Sequence, residues 1–143
     1  MIEGYAQCIR IDVRWRDLDA MSHVNNAVYF TYLETARAHY WEQVFGARTI
    51  QDINFILASI QCDFLSQTSF GETLEVGLRI PSVGKTSFGF EYEVRAEMDG
   101  RLVARARSTQ VLFDYTENSK VAITEEWLAR VEAAEGRRPS SPT

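Results

Sequence analysis

Residues 26–45 set the terms for the fold. Tyr29, Tyr32, Leu33, Ala36, Tyr40 and Val44 recur at three- and four-residue spacing, the period of a helix with one face turned to a core. Phe30, Trp41 and Phe45 widen that stripe, so the pattern predicts a helix enclosed by other structure on most sides. Asn25 or Asn26 can cap its start by accepting hydrogen bonds from free amides of the first turn. Gly46 supplies the stop. Such a helix is ~30 Å long, and whatever covers it must be equally long.

The flanking sequence offers mainly strands. Residues 5–15 alternate, with Tyr5, Gln7, Ile9, Ile11, Val13 and Trp15 on one parity and Cys8, Arg10, Asp12 and Arg14 on the other. Residues 53–64 are apolar on both parities, which predicts a strand buried on both faces. Leu74, Val76, Leu78 and Ile80 alternate with polar neighbours, as do Phe88, Phe90, Tyr92 and Val94. Asp99-Gly100 marks a hairpin into a last strand over 102–113. Strands of ten or so residues reach ~33 Å, matching the helix. A short second helix is predicted over 123–134, opened by Thr124 with Glu125 and Glu126 in its first turn. The segment 136–143 is expected to be a disordered tail. The pattern therefore predicts one α+β domain over 1–135, a long central helix wrapped by a curved antiparallel sheet of about five strands. That arrangement is called a hotdog fold.

Composition narrows the function. An apolar fraction of 45% and a charged fraction of 24% are ordinary for a globular domain. No apolar run approaches the ~20 residues of a membrane span, and the first ten residues lack the apolar segment of a signal peptide. A cytoplasmic protein with no membrane contact is expected. The net charge of −5 argues against nucleic acid as a partner. Cys8 and Cys62 read as two reduced thiols. His23 and His39 are too few and too badly spaced for zinc, so no metal is expected.

The chemistry concentrates between Trp15 and Arg37, in the stretch WRDLDAMSHVNNAVYFTYLETAR. It closely resembles the signature of hotdog acyl-CoA thioesterases of the 4-hydroxybenzoyl-CoA thioesterase type. That signature is a strand ending in aromatic-x-Asp-x-Asp, a short loop, His-Val-Asn-Asn, then a helix carrying Tyr and Glu-x-Ala-Arg. It is also similar to the matching segment of acyl-carrier-protein thioesterases, but those carry an Asn where this chain has Met21, which favours the CoA branch.

The resemblance implies hydrolysis of acyl-CoA thioesters to a free acid and CoA. It makes Asp19 the catalytic carboxylate and His23 a catalytic assistant, and assigns the Asn26 backbone amide to the thioester carbonyl. It implies no cofactor, since water is the second substrate, and a homodimer or homotetramer with sites at the subunit interface. It also brings Lys85, Thr86 and Ser87 close to the CoA nucleotide. Two other functions stand beside it, a hotdog hydroxyacyl-thioester dehydratase and a noncatalytic acyl-thioester-binding module. Dehydratase chemistry pairs His with an acid in a different motif.

Physical chemistry agrees with the assignment of Asp19. An exposed Asp titrates near ~3.9, and a helix N-terminus beside it favours the ion. Such an anion can attack a thioester carbonyl or draw a proton from water, while helix amides stabilise the oxyanion. Asp17 reads instead as a brace for the loop. Glu34 and Arg37, three apart on the helix, are expected to pair with each other, and Glu34 is a second candidate acid. His39, Tyr29, Tyr32 and Tyr40 read as packing residues. Gly84-Lys85-Thr86-Ser87 is no P-loop, because Arg79 stands where the first glycine belongs and a strand follows. Arg101, Arg105 and Arg107 share the polar parity beside that turn and could equally pair with Glu91 and Glu93 across the sheet, and residues 56–61 are expected to supply part of the acyl pocket.

Overall fold

The computed structural model describes residues 1–141. Among them the elements run β1 (Gln7–Asp12), α1 (Asn26–Phe45), β2 (Phe55–Phe64), β3 (Thr73–Arg79), β4 (Ser87–Ala96), β5 (Leu102–Asp114), β6 (Ser119–Lys120) and α2 (Glu125–Glu135). The strands form one antiparallel sheet in the order β1-β3-β4-β5-β2, with β6 beside β5. The sheet curls around α1, and the hotdog architecture expected from the pattern is the one observed.

The boundaries of α1 follow from its ends. Asn25 is the N-cap, its side chain accepting from the Ala27 amide at 2.8 Å. Gly46 ends the helix at φ 71°, a left-handed conformation that favours glycine. Tyr29, Tyr32, Leu33, Ala36, Tyr40, Trp41 and Val44 are all buried. They meet the inward parity of β3 and β4, where Leu74, Val76, Leu78, Phe88, Phe90, Tyr92 and Val94 are sealed from solvent. Trp41 stacks on Phe88 at 5.3 Å and meets Phe55 edge-on at 4.7 Å. Each such side chain contributes ~1.5–3 kcal/mol by leaving water. Helix α2 closes the far end, with Thr124 capping it and Trp127 stacked on Phe45 at 5.3 Å.

Several expectations give way. The first strand ends at Asp12, and a 3-10 turn over Trp15–Asp17 swings Trp15 outward, to 74% exposure. Strand β2 is not buried on both faces. It is an edge strand paired only with β5, and Ile56, Leu57 and Phe64 are exposed. The tail does not trail free from Gly136. The Ser140 amide donates to the Pro81 carbonyl at 2.9 Å, Val83 donates to the Ser140 carbonyl at 2.8 Å, and Pro139 is buried. Only the last two residues of the expected disordered segment lie outside the described residues.

Candidate active site

The two acids of the stretch between Trp15 and Arg37 meet opposite fates. Asp17 is fully buried. Its carboxylate accepts from the Arg14 amide at 2.9 Å, from Arg14 Nη2 at 2.9 Å and from the Tyr32 hydroxyl at 2.7 Å. Burial pushes its pKa up, but the Arg14 and Tyr32 hydrogen bonds outweigh burial and hold it below the ordinary value. Tyr32 is shifted upward in turn, by burial and by its bond to the Asp17 carboxylate. The Asp17 carbonyl also accepts from the Asn25 amide at 2.9 Å, which ties the loop to the helix cap. Asp17 is a brace.

Asp19 stands two residues further on, exposed, in a turn closed by the Leu18–Val24 bridge. Its amide donates to the His23 carbonyl at 2.8 Å, and its carbonyl accepts from Ser22 at 3.0 Å. Its Oδ1 accepts from the Met21 amide at 2.8 Å and from the His23 amide at 3.5 Å. Ser22 takes φ 66° to complete the turn. Among the described residues nothing donates to Oδ2. One carboxylate oxygen thus shapes the turn while the other is left without a donor.

The helix N-terminus behind this turn offers a donor of the right kind. The cap side chain occupies the Ala27 amide, and Val28 donates to the Asn25 carbonyl at 2.9 Å. The Asn26 amide has no acceptor among the described residues. A ligand oxygen at this point would meet an unspent donor and the positive end of a 20-residue helix. His23 is half-buried and bonds to Asp19 through its backbone, not its imidazole.

Lys85, Thr86 and Ser87 lie elsewhere. Ser87 begins β4 near the C-terminal end of α1, where Trp41 covers Phe88. The Asp19 turn borders the other end of the sheet, where Val13 donates to Glu72 and Glu97 to Thr73. The ten residues of β4 put ~30 Å between the two groups in one chain. Backbone bonds hold the Lys85 turn, with Gly84 donating to the Ser87 carbonyl at 2.7 Å and Ile123 to the Lys85 carbonyl at 2.9 Å.

Glu34 and Arg37 do not pair. Glu34 is exposed, and Arg37 turns inward to donate to the Tyr92 hydroxyl at 3.2 Å. The buried polar residues around it were invisible to sequence reasoning, because a polar residue on an inward parity breaks the pattern without saying why. The Arg14 clamp left a faint signal, a basic residue three before an acid. Tyr29, Tyr32 and Tyr40 are core residues as expected, each with its hydroxyl bonded, to Thr68, Asp17 and Glu135. Of the three outer arginines, Arg107 lies opposite Glu91 and Arg105 opposite Glu93 across the β4–β5 pair, whereas Arg101 bonds to Glu72 and Asp99. Among the described residues no group of three His, Cys, Asp or Glu is placed to hold a metal, and no helix is long and apolar enough to cross a membrane.

A fold of this class, with a carboxylate turn before the central helix, has well-defined relatives. Residues 13–131 match the model of the thioesterase-like superfamily, and the chain belongs to that family. The chain is 31% identical to a thioesterase from Thermus thermophilus solved with coenzyme A and zinc. The likeness covers 95% of this chain and 98% of that one, with a TM-score of 0.85. It is 27% identical over 128 residues to the long-chain acyl-CoA thioesterase FadM of Escherichia coli K12, covering 86% of this chain and 95% of FadM. An uncharacterised protein of Bacillus subtilis 168, YsmA, is 29% identical over 83 residues, and there the match spans only 56% of the relative.

Proposed function

We propose that this protein hydrolyses acyl-CoA thioesters, with Asp19 as nucleophile or general base. The observations that carry the reading are an exposed Asp19 carboxylate with one oxygen unbonded among the described residues, and an unspent amide on Asn26 at the start of the helix that follows its turn. In this reading the thioester carbonyl oxygen accepts from the Asn26 amide, so charge developing on that oxygen is stabilised by a donor that needs no reorganisation. Asp19 then either attacks the carbonyl carbon or takes a proton from the attacking water. By the first route an acyl-aspartyl anhydride forms, the C–S bond breaks and CoA leaves as thiolate, and water releases the acid. By the second, water supplies the new C–O bond directly. His23, beside Asp19 in the turn, assists by orienting water. Membership of the thioesterase-like superfamily and the likeness to FadM support the reaction class.

The same reading makes the working unit a homo-oligomer with sites between copies. Strand β2 has one unpaired edge and exposed Ile56, Leu57 and Phe64. If Lys85, Thr86 and Ser87 hold the CoA phosphates, their separation from Asp19 along β4 requires that they come from a second copy. Two antiparallel copies would bring opposite sheet ends together. A cytoplasmic setting, where Cys8 and Cys62 stay reduced, belongs to this reading.

The test is release of free CoA thiol from a panel of acyl-CoAs. Release from at least one class is expected. Binding of acyl-CoA without release from any member would instead mark a noncatalytic module.

A further inference from the structure

Apart from the bonds of Tyr29, Tyr32 and Tyr40 to Thr68, Asp17 and Glu135, the polar groups buried beneath α1 form one line. Arg37 donates to the Tyr92 hydroxyl at 3.2 Å. Tyr92 is bonded to Ser108 Oγ, which donates to Gln110 Oε1, and Gln110 Nε2 donates to the Phe88 carbonyl at 3.2 Å. Since the single Ser108 proton goes to Gln110, the Tyr92 hydroxyl is the donor to Ser108. The line therefore has one direction, running from Arg37 to Phe88, and its only cation sits at the head. Arg37 is 6% exposed, and no carboxylate lies within ion-pair distance of it among the described residues. A guanidinium has five N–H donors, and a buried cation without an anion is costly. A purely structural role would be served as well by an apolar side chain.

Arg37 also lines a cleft of about 210 Å³ between α1 and β2, with Phe30, Thr31, Glu34, Leu57 and Ile60. At ~30 Å³ per water it has room for roughly seven small heavy atoms. The cleft begins at Phe30, one turn past Asn26, where Phe64 packs on Tyr29 and Phe30. It ends at Arg37, ~16 Å along the helix from Asn26. Ile60 on its far wall is the cross-strand partner of Ser108. The cleft thus starts one turn past the unspent helix amide and ends at a guanidinium that has no carboxylate partner among the described residues.

We infer that this cleft takes the acyl group, and that Arg37, positioned by Tyr92 and Ser108, selects acyl groups bearing a carboxylate or hydroxyl oxygen at the end remote from the thioester. The inference rests on the thioesterase reading and deepens it. An oxygen at that end accepts from the guanidinium N–H groups not spent on Tyr92, and a methyl end displaces their water without replacing its hydrogen bonds.

Three CoA thioesters of equal length, ending in methyl, hydroxyl or carboxylate, provide the test. For the wild type, kcat/KM for the two oxygenated substrates should exceed that for the methyl-ended one by at least about tenfold. Arg37→Gln should reduce the ratio to within about threefold, on the same scale of lost hydrogen bonding. If Arg37→Gln does not fold, Tyr92→Phe decides, because it keeps the ring and removes only the group that positions Arg37. Arg48→Gln, which removes an exposed arginine outside the cleft, should keep the ratio. A wild-type preference for the methyl end, a ratio retained in Arg37→Gln, or loss of the preference in Arg48→Gln with Arg37 intact, would overturn the inference and leave the hydrolase reading standing. No turnover of any acyl-CoA would remove both.

Discussion

Asp17 and Asp19 are separated by one residue and have the same side chain, yet the fold uses them in opposite ways. Asp17 is sealed under Tyr32 and clamped by Arg14, with both oxygens spent on holding the loop to the helix. Asp19 spends one oxygen on its own turn and presents the other. The difference lies in the donors that the fold brings to each. A carboxylate saturated by buried donors is fixed in charge and position, which suits a strut. A carboxylate with a free oxygen, in an exposed turn ahead of a helix whose first amide is unspent, is open to the role proposed for it.

That contrast can be broken from the structural side first. Asp17→Ala removes a charge-assisted acceptor and strands the Tyr32 hydroxyl, so it should cost about 3 kcal/mol in urea unfolding. Asp19→Ala should stay within about 0.5 kcal/mol of wild type, as an exposed turn residue does. Comparable losses for both would erase the distinction. Next in size, Tyr32→Phe should cost about 1.5 kcal/mol by deleting one hydrogen bond to a charged group. Asn25→Ala should cost about 1 kcal/mol through the lost cap, and it should slow hydrolysis too if the cap sets the direction of the Asn26 amide.

The smallest effect is one of pH. The folded pKa of Asp17 lies below its ordinary 3.8. Its contribution to stability is therefore complete above that value and lost as pH falls through the depressed one. Glu135 acts in the opposite sense. Burial raises its pKa above 4.5, so its contribution is complete below 4.5 and fades as pH rises through the folded value. Melting curves across pH 2–6 (roughly the range that spans both groups) should show Asp17→Asn flattening the acid limb and Glu135→Gln the rise side. A wild-type acid limb in Asp17→Asn would contradict the clamp.

Much of this is legible in the sequence. The helix read correctly at both ends because the cap asparagine and the Gly46 stop act locally. Strands β3 and β4 read correctly because one face of each is wholly buried, which makes the alternation clean. Strand β2 misread because apolar residues on both parities look alike whether a second layer covers them or an edge exposes them. Trp15 misread because parity says nothing about where a strand stops. The Asp17–Asp19 division was visible only through the family signature. Arg37 was missed because helical spacing offered it Glu34, whereas the sheet below offered it Tyr92, and only the tertiary placement decides between them.

The central claim is that Asp19, and not Asp17, performs the chemistry. Asp19→Asn keeps the amide oxygen that shapes the turn and removes the charge, so one variant isolates the reacting group. Its rate of thiol release from the best acyl-CoA substrate should fall by about 10²-fold or more, with an unfolding midpoint equal to that of wild type. Turnover within a fewfold of wild type in a folded Asp19→Asn protein would contradict the account.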